Sequence, residues 1–216
     1  GGSDLIFPHH ENEIAQSEAF TGKKPMVKYW LHNGFITINS EKMSKSLNNF
    51  FLVKDVLEHY SPDALRFFLI SNHYRSPLDF SDERLEEMTR SLERLGTAID
   101  NVLELLAMPA GAKSPEAQQL LETAHKDEEA FENAMCDDFN TALASAAMFD
   151  LAKNVNIFKN AVVNNGVPVD SAALSEVKRV FKTFTDILGI LEDRWTGKKE
   201  DASSKDYDDL MQAILD

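Results

Sequence analysis

An apolar stripe with helical spacing runs through the middle of the chain and constrains its fold more than any other feature. Its members lie three or four residues apart, which places them on one face of an α-helix. Asp82 and Glu83 come just before the stripe and favour a helix N-terminus, because acidic side chains stabilise the positive end of the helix dipole. We therefore interpret the stripe as a core-facing surface rather than a cofactor site. It consists of Leu85, Met88, Leu92, Leu95, Ile99, Val102 and Leu106.

Residues 81–216 are predicted to form a helical bundle domain, because three more helical segments follow the stripe. Residues that favour helix ends bound each segment, such as Gly189 after the last one. The segments run from Ser114 to about Met135, from Thr141 to Asn164 and from Ser171 to Leu188. A polar, mobile stretch is expected from Trp195 to Lys205, followed by a last helical start at Tyr207.

Residues 1–80 have mixed character and predict part of an α/β domain, with a domain boundary near residue 80. Pro8 can occupy a first helical position without losing a hydrogen bond, so a helix is expected from His9 to Ala19. Val27 to Asn39 is rich in aromatic and β-branched residues and is predicted as a strand interrupted by His32-Asn33-Gly34, with a polar loop from Ser40 to Asn49 after it. Two short helices complete this part: Lys54 to Tyr60, and Ala64 to Ser71 after the helix start Ser61-Pro62-Asp63.

The charge of the chain is strongly acidic but unevenly distributed. Acidic residues outnumber basic ones 36 to 22 among 216 residues, giving a formal charge of -14. A generic polyanion-binding protein is excluded, because phosphate contacts need clustered Lys and Arg. Residues 1–50 carry equal numbers of acidic and basic side chains, so an anionic ligand is expected there. The single cysteine, Cys136, excludes an internal disulfide framework and fits a reducing compartment.

Lys42-Met43-Ser44-Lys45-Ser46 is the first motif that could carry chemistry. Ammonium groups can neutralise phosphate oxygens, and hydroxyl groups can donate hydrogen bonds to them. A loop of this composition could close over a triphosphate and stabilise charge on departing pyrophosphate. The alternative is an ordinary solvated turn.

The second motif is Pro8-His9-His10-Glu11-Asn12-Glu13. His9 and Glu13 are four residues apart and share one helix face, so they could supply two ligands to zinc. Residue 14 is Ile, so this is not the metalloprotease pattern His-Glu-x-x-His. His10 and Glu11 point elsewhere and are given no special role, and the alternative for the whole motif is a polar helix start.

The third motif is Gly1-Gly2-Ser3-Asp4, just before a predicted helix. Glycine permits close backbone approach, and the Asp4 carboxylate can accept hydrogen bonds from sugar hydroxyls. Two glycines alone are weak evidence, and the Gly-x-x-x-x-Gly-Lys-Ser/Thr phosphate loop is absent from the sequence.

Together these residues resemble the cysteinyl-tRNA synthetases, a family of class I aminoacyl-tRNA synthetases. Residues 42–46 match the KMSKS motif of class I enzymes, and residues 1–13 read GGSDLIFPHHENE, as in that family. Asp63-Ala64-Leu65-Arg66 matches the DALR string, and residues 135–142 are similar to a helix junction in these enzymes. The resemblance implies the C-terminal portion of a Rossmann-type catalytic domain over residues 1–80, then a DALR-type helical bundle over residues 81–216, truncated at its C-terminus.

The resemblance also implies site residues. Lys45 binds ATP phosphate with the help of Lys42, in the loop that contains Met43, Ser44 and Ser46; the two lysines are the catalytic residues. Gly2 and Asp4 lie near the ribose of ATP, and His32 and Gly34 line the adenine side. Zinc takes His9 and Glu13 as two of its ligands, and Mg²⁺ accompanies ATP. The metal distinguishes cysteine from serine, because thiolate is a far better zinc ligand than a hydroxyl.

The implied activity is a cysteine–tRNA ligase with ATP, L-cysteine and tRNA(Cys) as partners, acting as a cytoplasmic monomer without membrane attachment. The family's two cysteine zinc ligands, its HIGH motif and its C-terminal tail are not found in these 216 residues. The chain is thus expected to be a fragment that alone neither binds zinc tightly nor activates cysteine. Two alternatives stay open: a related cysteine ligase acting on an amino-sugar in mycothiol synthesis, and a non-catalytic helical module that binds tRNA or protein.

Overall fold

Four long helices form the main body of the computed structural model, which describes residues 1–38, 41–42 and 52–197. They are α4 (Asp82–Ala107), α5 (Pro115–Cys136), α6 (Thr141–Asn165) and α7 (Ser171–Leu188). The predicted bundle is therefore confirmed, with ends within a few residues of the expected positions. None of the described helices combines the length and apolar character needed to cross a lipid bilayer.

Polar side chains cap the N-terminus of each of these helices. The Oγ atoms of Ser81 and Ser114 accept hydrogen bonds from backbone amides three residues ahead, at 3.3 and 3.1 Å. Asn140 caps α6 in the same way, and Asp170 accepts two amide hydrogen bonds at the start of α7. Each cap satisfies donors that the first helical turn leaves without a partner, and typically contributes about 1 kcal/mol.

The core of the bundle forms where the apolar faces of the four helices meet. Of the stripe on α4, Leu85, Leu92, Leu95, Ile99 and Val102 are buried, whereas Met88 and Leu106 are partly buried. Helices α5 and α7 meet through the stacked rings of Phe131 and Phe184, whose centroids are 4.3 Å apart. The helical spacing in the sequence thus identified a core face.

Where it is described, the N-terminal part holds a small mixed sheet and three shorter α-helices. The helices are α1 (Glu11–Thr21), α2 (Val53–Leu57) and α3 (Pro62–Ile70). The strands are β1 (Ile36–Ile38), β2 (Glu41–Lys42) and β3 (Leu78–Asp79), in the order β2-β1-β3. β1 pairs with β3 in parallel, Ile36 opposite Leu78, and antiparallel with β2, Thr37 opposite Lys42.

Three expectations for this part differ from the structure. The strand predicted from Val27 to Asn39 begins only at Ile36, since residues 27–35 contain a single isolated bridge at Asn33. Lys42 was expected in a loop, but its backbone pairs with β1. The first helix also starts later than expected: a π-helical turn, Ile6–His10, precedes α1.

Helix α3 connects the N-terminal part to the bundle. The Asp63 carboxylate accepts a hydrogen bond from the Leu191 amide at 2.7 Å, across 128 residues of sequence. Leu191 lies just before α8 (Glu192–Thr196), where Trp195 packs on the bundle core and donates from Nε1 to Thr185 Oγ1 at 2.8 Å. The expectation of a polar, mobile stretch from Trp195 is therefore wrong for Trp195, while the helical start at Tyr207 lies outside the described residues.

A half-buried carboxylate on α5 faces α6. Burial, and next the charge of Asp150, raise the pKa of Asp127 to about 6, against an opposing hydrogen bond with Asn154. One Asp127 carboxylate oxygen is buried and has no hydrogen-bond partner among the described residues. Because the folded state disfavours the ionised form, this group destabilises the fold above pH 6, and the penalty declines as the pH falls from 6 toward the ordinary value of 3.8.

We expect Asp127→Asn to raise the free energy of unfolding by about 1 kcal/mol at pH 7.5, a value reduced for partial solvent exposure. Urea unfolding at pH 7.5 and pH 5 measures this, and the gain should be smaller at pH 5. Glu129→Gln, an exposed change on the same helix, is the control and should have little effect at either pH. An equal gain at both pH values would contradict the assignment.

Candidate functional site

The Gly1–Asp4 segment is held against the chain before β1. The Gly1 carbonyl accepts a hydrogen bond from the Asn33 amide at 2.9 Å, and Gly2 forms a parallel bridge with Asn33. A Cβ atom at Gly2 would lie 2.4 Å from Asp4 Oδ1 and 3.3 Å from the Phe35 ring. The Asp4 carboxylate therefore folds back over the Gly2 backbone, and a side chain at this position would displace it. The structure thus places the Asp4 carboxylate beside the Gly2 backbone.

Two imidazoles and an indole form a cluster beside this segment. His10 Nδ1 and His32 Nε2 are 2.9 Å apart and share a hydrogen bond. The rings of Trp30 and His32 are nearly parallel, with an interplanar angle of 5° and centroids 6.1 Å apart. The His10 ring lies 4.8 Å from that of Trp30. His32 was a predicted site residue, but His10 was given no role, because no sequence pattern pairs two histidines 22 residues apart.

The pKa of His32 is lowered, first by burial and next by the neighbouring His10 imidazole. The hydrogen bond between the two rings needs at least one unprotonated nitrogen as acceptor. The lowered pKa therefore keeps His32 neutral at pH 7 and preserves the bond. Because the pKa of His32 is lowered in the folded chain, its protonation favours the unfolded chain once the pH falls below the ordinary histidine value of 6.5.

Gly34 permits a close contact between two backbone segments. Its amide donates to the Tyr74 carbonyl at 2.7 Å, and a Cβ atom at this position would lie only 2.3 Å from the Ser76 carbonyl oxygen. The contact continues into the pairing of β1 with β3, where Phe35 O accepts from Leu78 N at 2.9 Å. The packing of the 73–76 loop against this position therefore requires a glycine at residue 34, independently of any ligand.

The predicted zinc ligands occupy an exposed helical turn. His9 lies in the π-helical turn and Glu13 in the first turn of α1, and both are exposed. Within residues 1–38, 41–42 and 52–197, no group of three or more His, Cys, Asp or Glu side chains is arranged to hold a metal ion. The two donors are of types that zinc accepts, but they form only half of a four-ligand set.

The KMSKS segment falls largely outside the described residues. Lys42 is described through its backbone in β2, whereas Met43, Ser44, Lys45 and Ser46 lie outside the described range. The backbone pairing of β2 with β1 attaches the start of this segment to the strand that follows His32 and Gly34. Four predicted site residues, Gly2, Asp4, His32 and Gly34, are therefore grouped around the chain that leads into β1.

A further cluster, which the sequence analysis did not find, joins the 73–76 loop to the bundle. Asp138, in the turn between α5 and α6, accepts a hydrogen bond from the Tyr74 hydroxyl at 2.8 Å. The same carboxylate lies 2.8 Å from Arg75 Nε and 3.7 Å from His73 Nε2. The partners are 63 to 65 residues apart, so local spacing carried no signal for them.

Two family models match the chain: the tRNA synthetases class I (C) catalytic domain over residues 1–90 and the DALR domain over residues 130–192. Among solved structures, the chain is similar to a LeuRS of Agrobacterium radiobacter K84 in a ternary complex with tRNA and LeuAMS. The TM-score is 0.69 and the identity 20%, over 91% of this chain and 26% of that chain, so this likeness concerns the fold alone.

Curated relatives include the cysteine–tRNA ligase of Desulforamulus reducens, 52% identical over 202 residues, which cover 92% of this chain and 41% of that protein. The cysteine–tRNA ligase of Heliobacterium modesticaldum is 45% identical over 219 residues, 100% of this chain and 45% of that protein. The chain therefore spans less than half the length of these relatives.

The chain contains part of a class I tRNA synthetase catalytic domain followed by a DALR domain, which confirms the predicted fold class. Within that class it is similar to the cysteine–tRNA ligases, which confirms the resemblance shown by its motifs. The two family models leave residues 91–129 unmatched, so the domain boundary near residue 80 stays a prediction.

We expect Gly34→Ala to lower the free energy of unfolding by about 2 kcal/mol, because the new methyl group collides with the Ser76 backbone, which cannot rotate away. Urea unfolding measures the change. Gly96→Ala is the matched control: its Cβ would meet only the flexible end of Arg194, and alanine favours the helix, so the change should stay within about 0.5 kcal/mol. Equal effects of the two variants would contradict the close backbone contact.

Proposed function

We propose that the complete protein to which this chain belongs is a cysteine–tRNA ligase. The observation that carries this proposal is the KMSKS motif at residues 42–46 in a chain 45–52% identical to curated cysteine–tRNA ligases. The names of those relatives favour tRNA over an amino-sugar as the acceptor. We further infer a cytoplasmic monomer whose substrates are ATP, L-cysteine and tRNA(Cys).

The reaction has two steps. The cysteine carboxylate attacks the α-phosphorus of ATP, which forms cysteinyl-adenylate and releases pyrophosphate. A ribose hydroxyl of the terminal tRNA adenosine then attacks the activated carbonyl, and AMP leaves. Both steps need the reacting groups held in position and negative charge neutralised on phosphate oxygens, which is how enzymes accelerate phosphoryl and acyl transfer.

Lys42 and Lys45 are proposed to neutralise charge on the ATP phosphates, with Met43, Ser44 and Ser46 completing the loop and Mg²⁺ bound with ATP. Gly2 and Asp4 suit the ribose, since the carboxylate lies over a backbone where no side chain intervenes. On the adenine side are Gly34 and His32, whose neutral ring lies parallel to Trp30. A neutral aromatic surface of this kind favours stacking with a purine.

His9 and Glu13 are proposed as two zinc ligands. Both side chains are exposed, and their nitrogen and oxygen donors are types that zinc accepts. When bound, zinc would hold the substrate thiolate and so favour cysteine over serine. The role of this chain is to present the two donors from adjacent turns at the start of α1.

We expect Lys45→Ala in the complete protein to reduce cysteine-dependent ATP–pyrophosphate exchange by about 100-fold or more, the usual cost of removing one group that stabilises transition-state charge. Lys54→Ala, which removes an equally charged side chain from α2, is the control and should retain exchange. Unchanged exchange in the Lys45 variant would contradict the catalytic role of the loop.

We expect His9→Ala and Glu13→Gln to weaken zinc binding by the complete protein at least 10-fold, since loss of even an outer-shell partner costs roughly 10–100-fold. Metal content after dialysis against a zinc buffer measures this without reference to activity. Glu11→Gln changes a neighbouring exposed carboxylate and should keep the wild-type zinc content. Wild-type content in both ligand variants would exclude them as ligands.

A further inference from the structure

The turn between α5 and α6 contains two consecutive non-glycine residues in the left-handed region. Asp138 has φ 56° and Phe139 has φ 54°; in the described ranges, Leu191 is the one other non-glycine residue with positive φ. This backbone conformation is unfavourable for residues with a side chain, although aspartate tolerates it better than phenylalanine. Strain of this kind persists where surrounding contacts hold it, and it often marks a functional position.

The Asp138 side chain joins this turn to Tyr74 and Arg75 of the N-terminal part. One carboxylate oxygen accepts the Tyr74 hydroxyl hydrogen bond, and the other lies 2.8 Å from Arg75 Nε. The Tyr74 hydroxyl and, more weakly, Arg75 lower the pKa of Asp138, so the carboxylate stays ionised at neutral pH. A second contact runs beside it, where Thr141 Oγ1 is 3.5 Å from the Asn72 carbonyl.

The loop that Asp138 holds is the loop that contacts Gly34. The Tyr74 side chain binds Asp138, while the carbonyl of the same residue accepts the Gly34 amide at 2.7 Å. Two residues later in this loop, the Ser76 carbonyl packs against Gly34, where a Cβ atom would lie only 2.3 Å from its oxygen. A displacement of Tyr74 must therefore move Gly34, and with it His32 two residues before.

We propose that Asp138 is a positioning residue: from the helical domain it fixes the 73–76 loop and thereby sets the place of Gly34 and His32 on the adenine side of the ATP site. The proposal rests on the proposed function for the ligand, but the coupling from Asp138 to Gly34 is a property of the protein alone. The contact is solvent-exposed, at 40% for Asp138 and 63% for Arg75, so its contribution to global stability is small. Its main effect is on the orientation of the loop.

Asp138→Gly tests the coupling in the complete protein. Glycine accepts the left-handed backbone without strain, so this variant removes the carboxylate while the turn itself remains favourable. Phe139→Gly is the matched control, because it relieves the same strain in the adjacent residue and leaves the Asp138 carboxylate in place. We expect the Gly34 amide to exchange with deuterium at least about 10-fold faster in Asp138→Gly and at the wild-type rate in Phe139→Gly.

The kinetic readout is the KM for ATP in cysteine-dependent pyrophosphate exchange. Asp138→Gly should raise it several-fold with an unchanged or higher Tm, whereas Phe139→Gly should keep the wild-type KM. Tyr74→Phe removes the hydroxyl that Asp138 binds and should raise the KM for ATP in the same direction. Combining it with Asp138→Gly should add nothing further, because Asp138→Gly already breaks the contact that Tyr74→Phe removes.

Wild-type amide exchange at Gly34 in Asp138→Gly would overturn the proposal, as would an equal effect of Phe139→Gly or a fall in Tm that accounts for the loss. If the wild-type complete protein shows no cysteine-dependent exchange, the proposed function fails, and amide exchange at Gly34 still decides whether Asp138 positions the loop. Faster Gly34 exchange with an unchanged KM for ATP would overturn the link to the adenine side.

Discussion

Two adjacent phenylalanines on α3 connect the halves of the molecule, and the remaining structure depends on their burial. Phe67 packs into the core of the helical bundle, while Phe68 belongs to a second apolar cluster with Val56, Leu78 and Phe80. Neighbouring side chains on a helix point in different directions, so one short helix can serve two cores. The start of α4 is shared in the same way, since Leu85 lies in the second cluster and Leu92 in the first.

This arrangement places the helical domain in direct contact with β3, the strand that pairs with β1 next to the candidate site. The second cluster includes Leu78 and Phe80, in and just after the strand that pairs with β1. The 73–76 loop, between α3 and β3, touches Gly34 on one side and Asp138 of the bundle on the other. The candidate ATP-binding residues are therefore positioned by the bundle as well as by the sheet.

Local signals accounted for the helical domain almost completely. The stripe on α4, the serine caps before α4 and α5 and the glycine after α7 act within a few residues of chain, and each is visible in the sequence. The strand from Val27 was overestimated for the opposite reason. Its residues favour a strand, but a strand forms only where a partner strand pairs with it, and the pairing with β3 begins at Ile36.

The sequence by itself determined the helices of the bundle and the family resemblance, and it supplied His9, Glu13 and Lys45 as candidate site residues. Tertiary structure alone decided that His10 pairs with His32, that Gly34 is needed for contact with Ser76, and that Asp138 holds Tyr74. The physical reason is range. Helix periodicity and capping depend on neighbours three or four residues away, whereas these contacts join residues 22 to 64 positions apart, which only the folded chain brings together.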